Sequence, residues 1–177
     1  PDSDAERLRT VIAAITSIDL ISPYRFALLL APLAAARAAG VTIEIDRIAA
    51  ACRNLTENND FVLVEGIGGL MVPLSEKKDV RNLIAFLHLP ALVVGRAALG
   101  GVNHALLTLE ALGQRAIPTV GIVLNQLASA RNHEQTQSTV DLIRERSGVP
   151  VFGPLPYELT CCLDWTAGVR KMAHDPT

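Results

Sequence analysis

Apolar residues fall along this chain in two rhythms, short unbroken runs and longer stretches that repeat every three or four positions. The runs are Phe61–Val64, Ala91–Gly95, Thr119–Leu124 and Val151–Leu155. The first three are dense in Val, Leu and Ile with little alternation, as expected of strands in a parallel sheet buried on both faces by helices. Between them the spacing changes. Val80, Leu83, Ile84 and Leu87 share one helical face, as do Leu106, Leu109 and Leu112. Val140 and Ile143 mark a further helix that Gly148 closes. Strands alternating with helices of this length predict βαβ units with right-handed crossovers.

The first sixty residues read as mainly helical. Ser3 and Glu6 have the spacing of a capping box, which predicts a helix running through Ile12 and Ile15. Ser22–Pro23 and Ala31–Pro32 interrupt the chain, Gly40 is placed to end the Ala-rich segment, and a third helix is expected near Asp46 to Asn54. The longest apolar run, Ala27 to Ala36, lies between Arg25 and Arg37. It reaches about half of the roughly 20 residues that a membrane helix needs, so it reads as a short buried helix. The class is α/β, with residues 1–177 forming one incomplete domain. Chains of this class usually open on a buried strand, and this one opens on helices, as if its sheet lacked a member.

Composition narrows the function classes. Half of the 177 residues are hydrophobic and 19% are charged, which excludes a disordered chain. The net charge of −2 arises from 18 acids and 16 bases without long runs, and aromatics are 4%. Neither the basic footprint nor the stacking platform of a nucleic-acid binder is present. Cys52, Cys161 and Cys162 suit packing in a reducing compartment better than a disulfide framework. The N-terminal PDSDAERLR is acidic, unlike a secretory signal. A soluble cytoplasmic chain is expected.

Candidate chemistry lies at the strand ends. In Val62-Leu63-Val64-Glu65-Gly66-Ile67-Gly68-Gly69 a carboxylate follows a predicted strand, at the edge of the sheet where open α/β folds bind ligands. Glu65 is suited to Mg²⁺, which prefers hard oxygen ligands, and the glycines permit close approach of a phosphate or substrate. The plainer alternative is an acid and a flexible turn. Leu99 to His104 opens a helix after the second run, where free N–H groups attract an anion. The alternative there is a glycine turn with Asn103 as N-cap. His104 reads as a hydrogen-bonding residue rather than a base. Asn125 and Gln126 end the third run, where amides can read a purine edge. Pro156, Tyr157 and Glu158 follow the fourth. Asp4 stands at a predicted helix start, where an acid ordinarily serves the macrodipole. Trp165 reads as packing. Four strand ends of this kind predict one shared crevice.

Taken together, VLVEGIGGLMVPL, LPALVVGRAALGGVNHALLTLEAL and IPTVGIVLNQ resemble successive blocks of dethiobiotin synthetases. DSDAERL resembles that family's aspartate-bearing segment, SPYRF with APLAAARAAGVTI its substrate-side stretch, and GPLPYE its late adenine-side loop. The blocks span essentially the whole chain in order. The resemblance implies a three-layer P-loop NTPase-like fold with a mainly parallel sheet. It implies an ATP- and Mg²⁺-dependent ligase of biotin synthesis that makes dethiobiotin from diaminopelargonic acid and CO₂. Asp4 and Glu65 would then be the Mg²⁺ carboxylates, with Asp4 also near ATP. Glu65, Gly66, Ile67 and Gly68 would line the nucleotide and substrate crevice. Asn125, Gln126, Pro156, Tyr157 and Glu158 would border the adenine, Gln126 standing where the family commonly has Asp. Gly100, Gly101, Val102 and Asn103 would receive the substrate's distant carboxylate across a homodimer interface.

One departure matters. The family's opening strand, its phosphate loop and a later catalytic Lys are expected before Asp4, yet no GxxxxGKS/T occurs in these residues and no Lys precedes Lys77. In this reading the chain therefore holds no catalytic residue of its own and is expected to be inactive alone. The competing reading is a non-catalytic dimeric binding module that retained the fold without ATP chemistry.

Overall fold

A computed structural model describes residues 3–11, 16–126 and 133–157. The chain divides into two compact units, Pro1–Leu87 and His88–Thr177. In the first, helix α1 (Asp4–Val11) begins with the reciprocal cap that its sequence predicts. The Ser3 amide donates to Glu6 Oε2 at 2.7 Å, and the Glu6 amide donates to Ser3 Oγ at 3.4 Å. The expected continuation through Ile12 and Ile15 lies outside the described residues. A short α2 (Ile18–Ile21) is capped by the Ser17 hydroxyl.

Helix α3 (Pro32–Ala38) starts on proline, whose missing N–H costs nothing in the first turn. It ends at Gly40, with φ +65 and the Val41 amide reaching back 2.9 Å to the Ala36 carbonyl. That six-to-one bond is the Schellman arrangement, which glycine accommodates because it lacks a Cβ. The Ala27–Ala36 run is thus not one buried helix. Pro32 divides it, and the preceding Leu28, Leu29 and Leu30 are exposed. Helices α4 (Ile45–Glu57) and α5 (Val80–Leu87) follow, and the predicted face of α5 supplies buried Val80 and Leu83. The core gathers Ala36, Ile43, Ile45, Leu74, Val80 and Leu83, with Tyr24, Phe26 and Ile48 packed against it.

Phe61–Val64 does not form the expected strand. Among the described residues its backbone has no ladder partner, and Phe61 and Leu63 are each 78% exposed. An apolar run becomes a strand only when a neighbour takes its N–H and C=O groups, and no described residue does so.

The second unit follows the sequence pattern closely. Strands β1 (Ala91–Arg96), β2 (Thr119–Asn125) and β3 (Val151–Leu155) form a parallel sheet in the order β1-β2-β3. Helix α6 (Gly101–Gly113) connects the first pair, and α7 (His133–Ser147) lies between the second. The two helices pack together and on the sheet. Val93, Ile122 and Leu124 are buried, as are Leu112 of α6 and Val140 and Ile143 of α7. Burial removes water from this apolar surface and is the main term holding the unit together. Leu92 and Val94, which flank buried Val93, are exposed, as is Phe152 of β3, so burial in β1 is one-sided where the apolar runs predicted burial on both faces.

Candidate functional site

The expected site residues fall in both units. In the first, Asp4 occupies the opening turn of α1 with its side chain 93% exposed, and its only ion pair among the described residues is with Arg7 at 3.7 Å. Glu65 is exposed, lies outside helix and strand, and makes no hydrogen bond among the described residues. Both are hard oxygen donors left available, the chemistry Mg²⁺ accepts from one or two carboxylates while keeping much of its water. No cluster of three or more His, Cys, Asp or Glu residues able to hold a metal occurs among the described residues.

After Glu65 the glycines shape the turn. Gly68 has φ +76, and a Cβ built there would lie 2.9 Å from Val72 Cγ2, so both backbone and space require glycine. A Cβ on Gly66 would meet Val80 Cγ1 at 3.3 Å, while Ile67 is 59% exposed. The turn is then tied to α5. The Val80 amide donates to the Val72 carbonyl at 3.2 Å, and the Arg81 amide to the Leu70 carbonyl at 3.2 Å.

Sequence reading missed what anchors that junction. The Asn82 amide donates to Asp79 Oδ1 at 3.1 Å, the Asp79 amide donates to Asn82 Oδ1 at 2.9 Å, and Arg81 Nη2 donates to Asp79 Oδ2 at 2.6 Å. Partial burial pushes the Asp79 carboxyl up, but the Arg81 and Asn82 hydrogen bonds and the Arg81 charge outweigh it and hold the group below its ordinary range. The signal was present as an Asp three residues before Asn at the start of an apolar helical face. Burial also pushes the Cys52 thiol up, which suits a packing role. Cys161, Cys162, Trp165 and Glu158 lie outside the described residues.

In the second unit the strand ends converge. Arg96, Asn125 and Leu155 are successive register partners at the carboxyl edge of the sheet. The Ala97 amide donates to the Asn125 carbonyl at 2.9 Å, and the Gln126 amide to the Leu155 carbonyl at 2.8 Å. Asn125 is exposed, and Pro156 and Tyr157 continue directly from the same edge. Three of the four expected strand ends therefore share one edge within this unit. The fourth is corrected, because Phe61–Val64 is not a strand.

The start of α6 also differs from the alternative reading. Its N-cap is Gly100, at φ +84, and Asn103 is already the third helical residue. Gly101 is needed for a different reason: a Cβ there would fall well inside contact distance of the Arg96 carbonyl oxygen. With no side-chain cap, the Val102 and Asn103 N–H groups have no acceptor among the described residues. His104 is the hydrogen-bonding residue expected of it, with a partner that the sequence did not suggest: Arg96 Nη2, 3.0 Å from Nδ1.

Two hollows lie in the first unit. One of about 240 Å³ is lined by Arg25, Phe26, Leu28, Ala35 and Ala38 among others, within the SPYRF to APLAAARAAG stretch. The other, of about 380 Å³, is bordered by Thr42, Glu44, Asp46, Ser75 and Lys78. Neither includes an expected site residue. No helix among the described residues is long and apolar enough to cross a membrane.

Residues 1–162 match the family model described as an AAA domain. The chain is 50% identical over 124 residues to an "ATP-dependent dethiobiotin synthetase BioD" of Anaeromyxobacter dehalogenans, covering 70% of this chain and 56% of that protein. It is 40% identical over 162 residues to the protein of that name in Thermodesulfovibrio yellowstonii, covering 88% and 68%. Against the Bacillus subtilis protein the identity is 31% over 156 residues, covering 88% and 67%. The chain thus spans between 56% and 68% of the length of these three relatives.

Proposed function

The chain belongs to the ATP-dependent dethiobiotin synthetase family, with an α/β P-loop NTPase-like fold, and from that membership we propose a cyclo-ligase that forms the ureido ring of dethiobiotin. Residues 1–177 are read as one incomplete domain of it. The observation that carries the reading is 40% identity across 88% of the chain to a relative bearing that name. The shared edge of Arg96, Asn125 and Leu155 supports it, because ligands of open parallel sheets bind at that end.

In this reaction one amine of diaminopelargonic acid adds to CO₂ and loses a proton, giving a carbamate. A carbamate oxygen takes the γ-phosphoryl group of ATP and ADP leaves. The second amine then attacks the activated carbon, phosphate departs and the five-membered urea closes. Phosphoryl transfer of this kind depends on positioning and charge neutralisation rather than on covalent chemistry by the protein. Asp4 and Glu65 supply the carboxylates that hold Mg²⁺, with Asp4 also beside ATP. The bound ion offsets charge on the phosphate oxygens.

The chain's own groups otherwise bind and orient. Gly66 to Gly68, with Ile67, line the crevice so that ligand atoms approach the backbone. The Asn125 and Gln126 amides hydrogen-bond the purine, Gln126 presenting an amide where relatives commonly carry a carboxylate. Pro156, Tyr157 and Glu158 border the same ring. The helix start at Gly100 to Asn103, through the free N–H groups of Val102 and Asn103, receives the substrate's distant carboxylate from the partner of a homodimer, so pairing of subunits is part of the function. Residues 1–177 contain no GxxxxGKS/T, and alone they turn over no substrate. The work is done in the cytoplasm, where ATP and the substrates are found.

Complementation tests the proposal. The full-length gene restores biotin-free growth to a bacterium lacking dethiobiotin synthetase. A stable, well-expressed protein that leaves the strain dependent on added dethiobiotin would contradict it and favour a non-catalytic binding module.

A further inference from the structure

A helix start leaves four N–H groups without partners in its own helix. In α5 all four are taken, two of them by the segment that follows Glu65. The Asn82 and Leu83 amides donate to the Asp79 carbonyl at 3.1 and 3.3 Å. The Val80 and Arg81 amides donate instead to the Val72 and Leu70 carbonyls, each at 3.2 Å, and the Val72 amide donates to the Gly69 carbonyl at 3.0 Å. Side chains reinforce this backbone junction. A Cβ on Gly66 would meet Val80 Cγ1 at 3.3 Å and one on Gly68 would meet Val72 Cγ2 at 2.9 Å, so both valines lie against the backbone that follows Glu65. Asp79 fixes where the helix begins. Its carboxylate accepts from the Asn82 amide and from Arg81, its amide donates to Asn82 Oδ1, and its backbone bridges to Pro73. The Asp79 and Arg81 side chains are 16% and 14% exposed, whereas every other ion pair among the described residues has side chains at least 40% exposed. Little water competes for this anchor. Glu65 makes no hydrogen bond among the described residues, so its place is set by the backbone that carries it.

We propose that Asp79 is a positioning residue for Glu65: by capping α5 it holds the glycine turn on the helix start and so fixes where the Glu65 carboxylate is presented. This deepens the cyclo-ligase reading and rests on it for Glu65 as a metal carboxylate. Anchoring of the turn does not depend on that reading.

The test uses full-length protein and two readouts other than turnover. One is hydrogen exchange of the Val72, Val80 and Arg81 amides without metal, and the other is broadening of the Gly66 and Gly68 amide resonances by Mn²⁺ alone. Asp79→Ala speeds exchange at the three amides and weakens Mn²⁺ binding by about tenfold, the scale for a group that supports a metal ligand. Asn82→Ala, which removes only the return bond, moves both readouts the same way by less and serves if Asp79→Ala does not fold. Asp79→Asn keeps an oxygen for the Asn82 amide, so it holds Mn²⁺ affinity within about twofold of wild type even though it loses stability. Added to Glu65→Gln, Asp79→Ala weakens Mn²⁺ no further, because it acts through that carboxylate. Val140→Ala, a cavity in the other unit, lowers stability and moves neither readout. The proposal is overturned if exchange at the three amides is unchanged in the Asp79→Ala and Asn82→Ala proteins. It is also overturned if those proteins keep wild-type Mn²⁺ affinity while Glu65→Gln loses it. Should Glu65→Gln leave Mn²⁺ affinity unchanged, the metal role of Glu65 fails and the exchange result alone decides the anchoring.

Discussion

Replacing Gly101 by alanine sets two physical effects against each other. Helix propensity favours alanine by about 1 kcal/mol, since glycine loses more backbone entropy on folding. Packing opposes it. The added methyl would overlap the Arg96 carbonyl oxygen and lie 3.3 Å from Thr139 Cγ2. A carbon and a carbonyl oxygen need roughly 3.3 Å, so the end of β1 and the start of α6 have to part by about an ångström. The obstacle is backbone at the end of a paired strand, which cannot rotate aside as a side chain can. Overpacking of this kind costs about 1–3 kcal/mol, and with no flexible neighbour the upper end applies. The net expectation is about 2 kcal/mol of destabilisation. Gly113 is an internal control, because it ends the same helix and a Cβ there meets nothing within 4 Å. Gly113→Ala should leave stability unchanged or raise it by up to about 1 kcal/mol. Urea unfolding of both variants, compared at constant slope, reads the difference. A Gly101→Ala protein as stable as Gly113→Ala would refute the packing of β1 against α6 described above.

Other expectations follow from single sites. Ala116 holds φ +52, so Ala116→Gly should raise thermal stability by about 0.5–1 kcal/mol as left-handed strain is relieved, measured by calorimetry. Asp79→Asn should cost about 1 kcal/mol at neutral pH through loss of the charge that pairs with Arg81, since an amide oxygen can still accept from the Asn82 N–H. Because the folded Asp79 carboxyl lies below its unfolded value of about 3.9, its contribution is present above that pH and fades as acid takes the protein through the lower folded value. The gap between wild type and Asp79→Asn should therefore close below about pH 4; a constant gap would remove the ionic part of the explanation. In the full-length protein, Glu65→Gln should lower Mg²⁺-dependent turnover by more than about tenfold. Its exposed, unbonded carboxylate predicts a stability change within about 0.5 kcal/mol. Wild-type turnover would remove Glu65 from the metal site.

The second unit was legible because its signals are local. Short apolar runs became β1, β2 and β3 within a residue or two, and Gly148, at φ +66, follows α7 as its position suggested. Phe61–Val64 carried the same signal and failed, because a strand is a property of a pair and sequence shows only one member. Ala27–Leu30 failed for a related reason: apolar content argues for burial, but Pro32 takes the helix start and leaves the leucines ahead of it in an exposed loop. The N-cap of α6 was misplaced because side-chain acceptors such as Asn103 are what capping rules recognise, while Gly100 works through its backbone. The Arg96–His104 bond joins residues eight apart across a strand-to-helix turn, a spacing that no periodicity predicts. The candidate residues themselves were recognised from family blocks and strand-end position, and burial or charge alone would not have singled out Asn125 or Glu65.

The central claim is ring closure at the expense of ATP. Full-length protein given ¹³C-bicarbonate, diaminopelargonate, ATP and Mg²⁺ should yield dethiobiotin labelled at its ureido carbonyl, with one ADP formed per ring. ADP released without labelled dethiobiotin, or labelled product formed without ATP, would contradict the account.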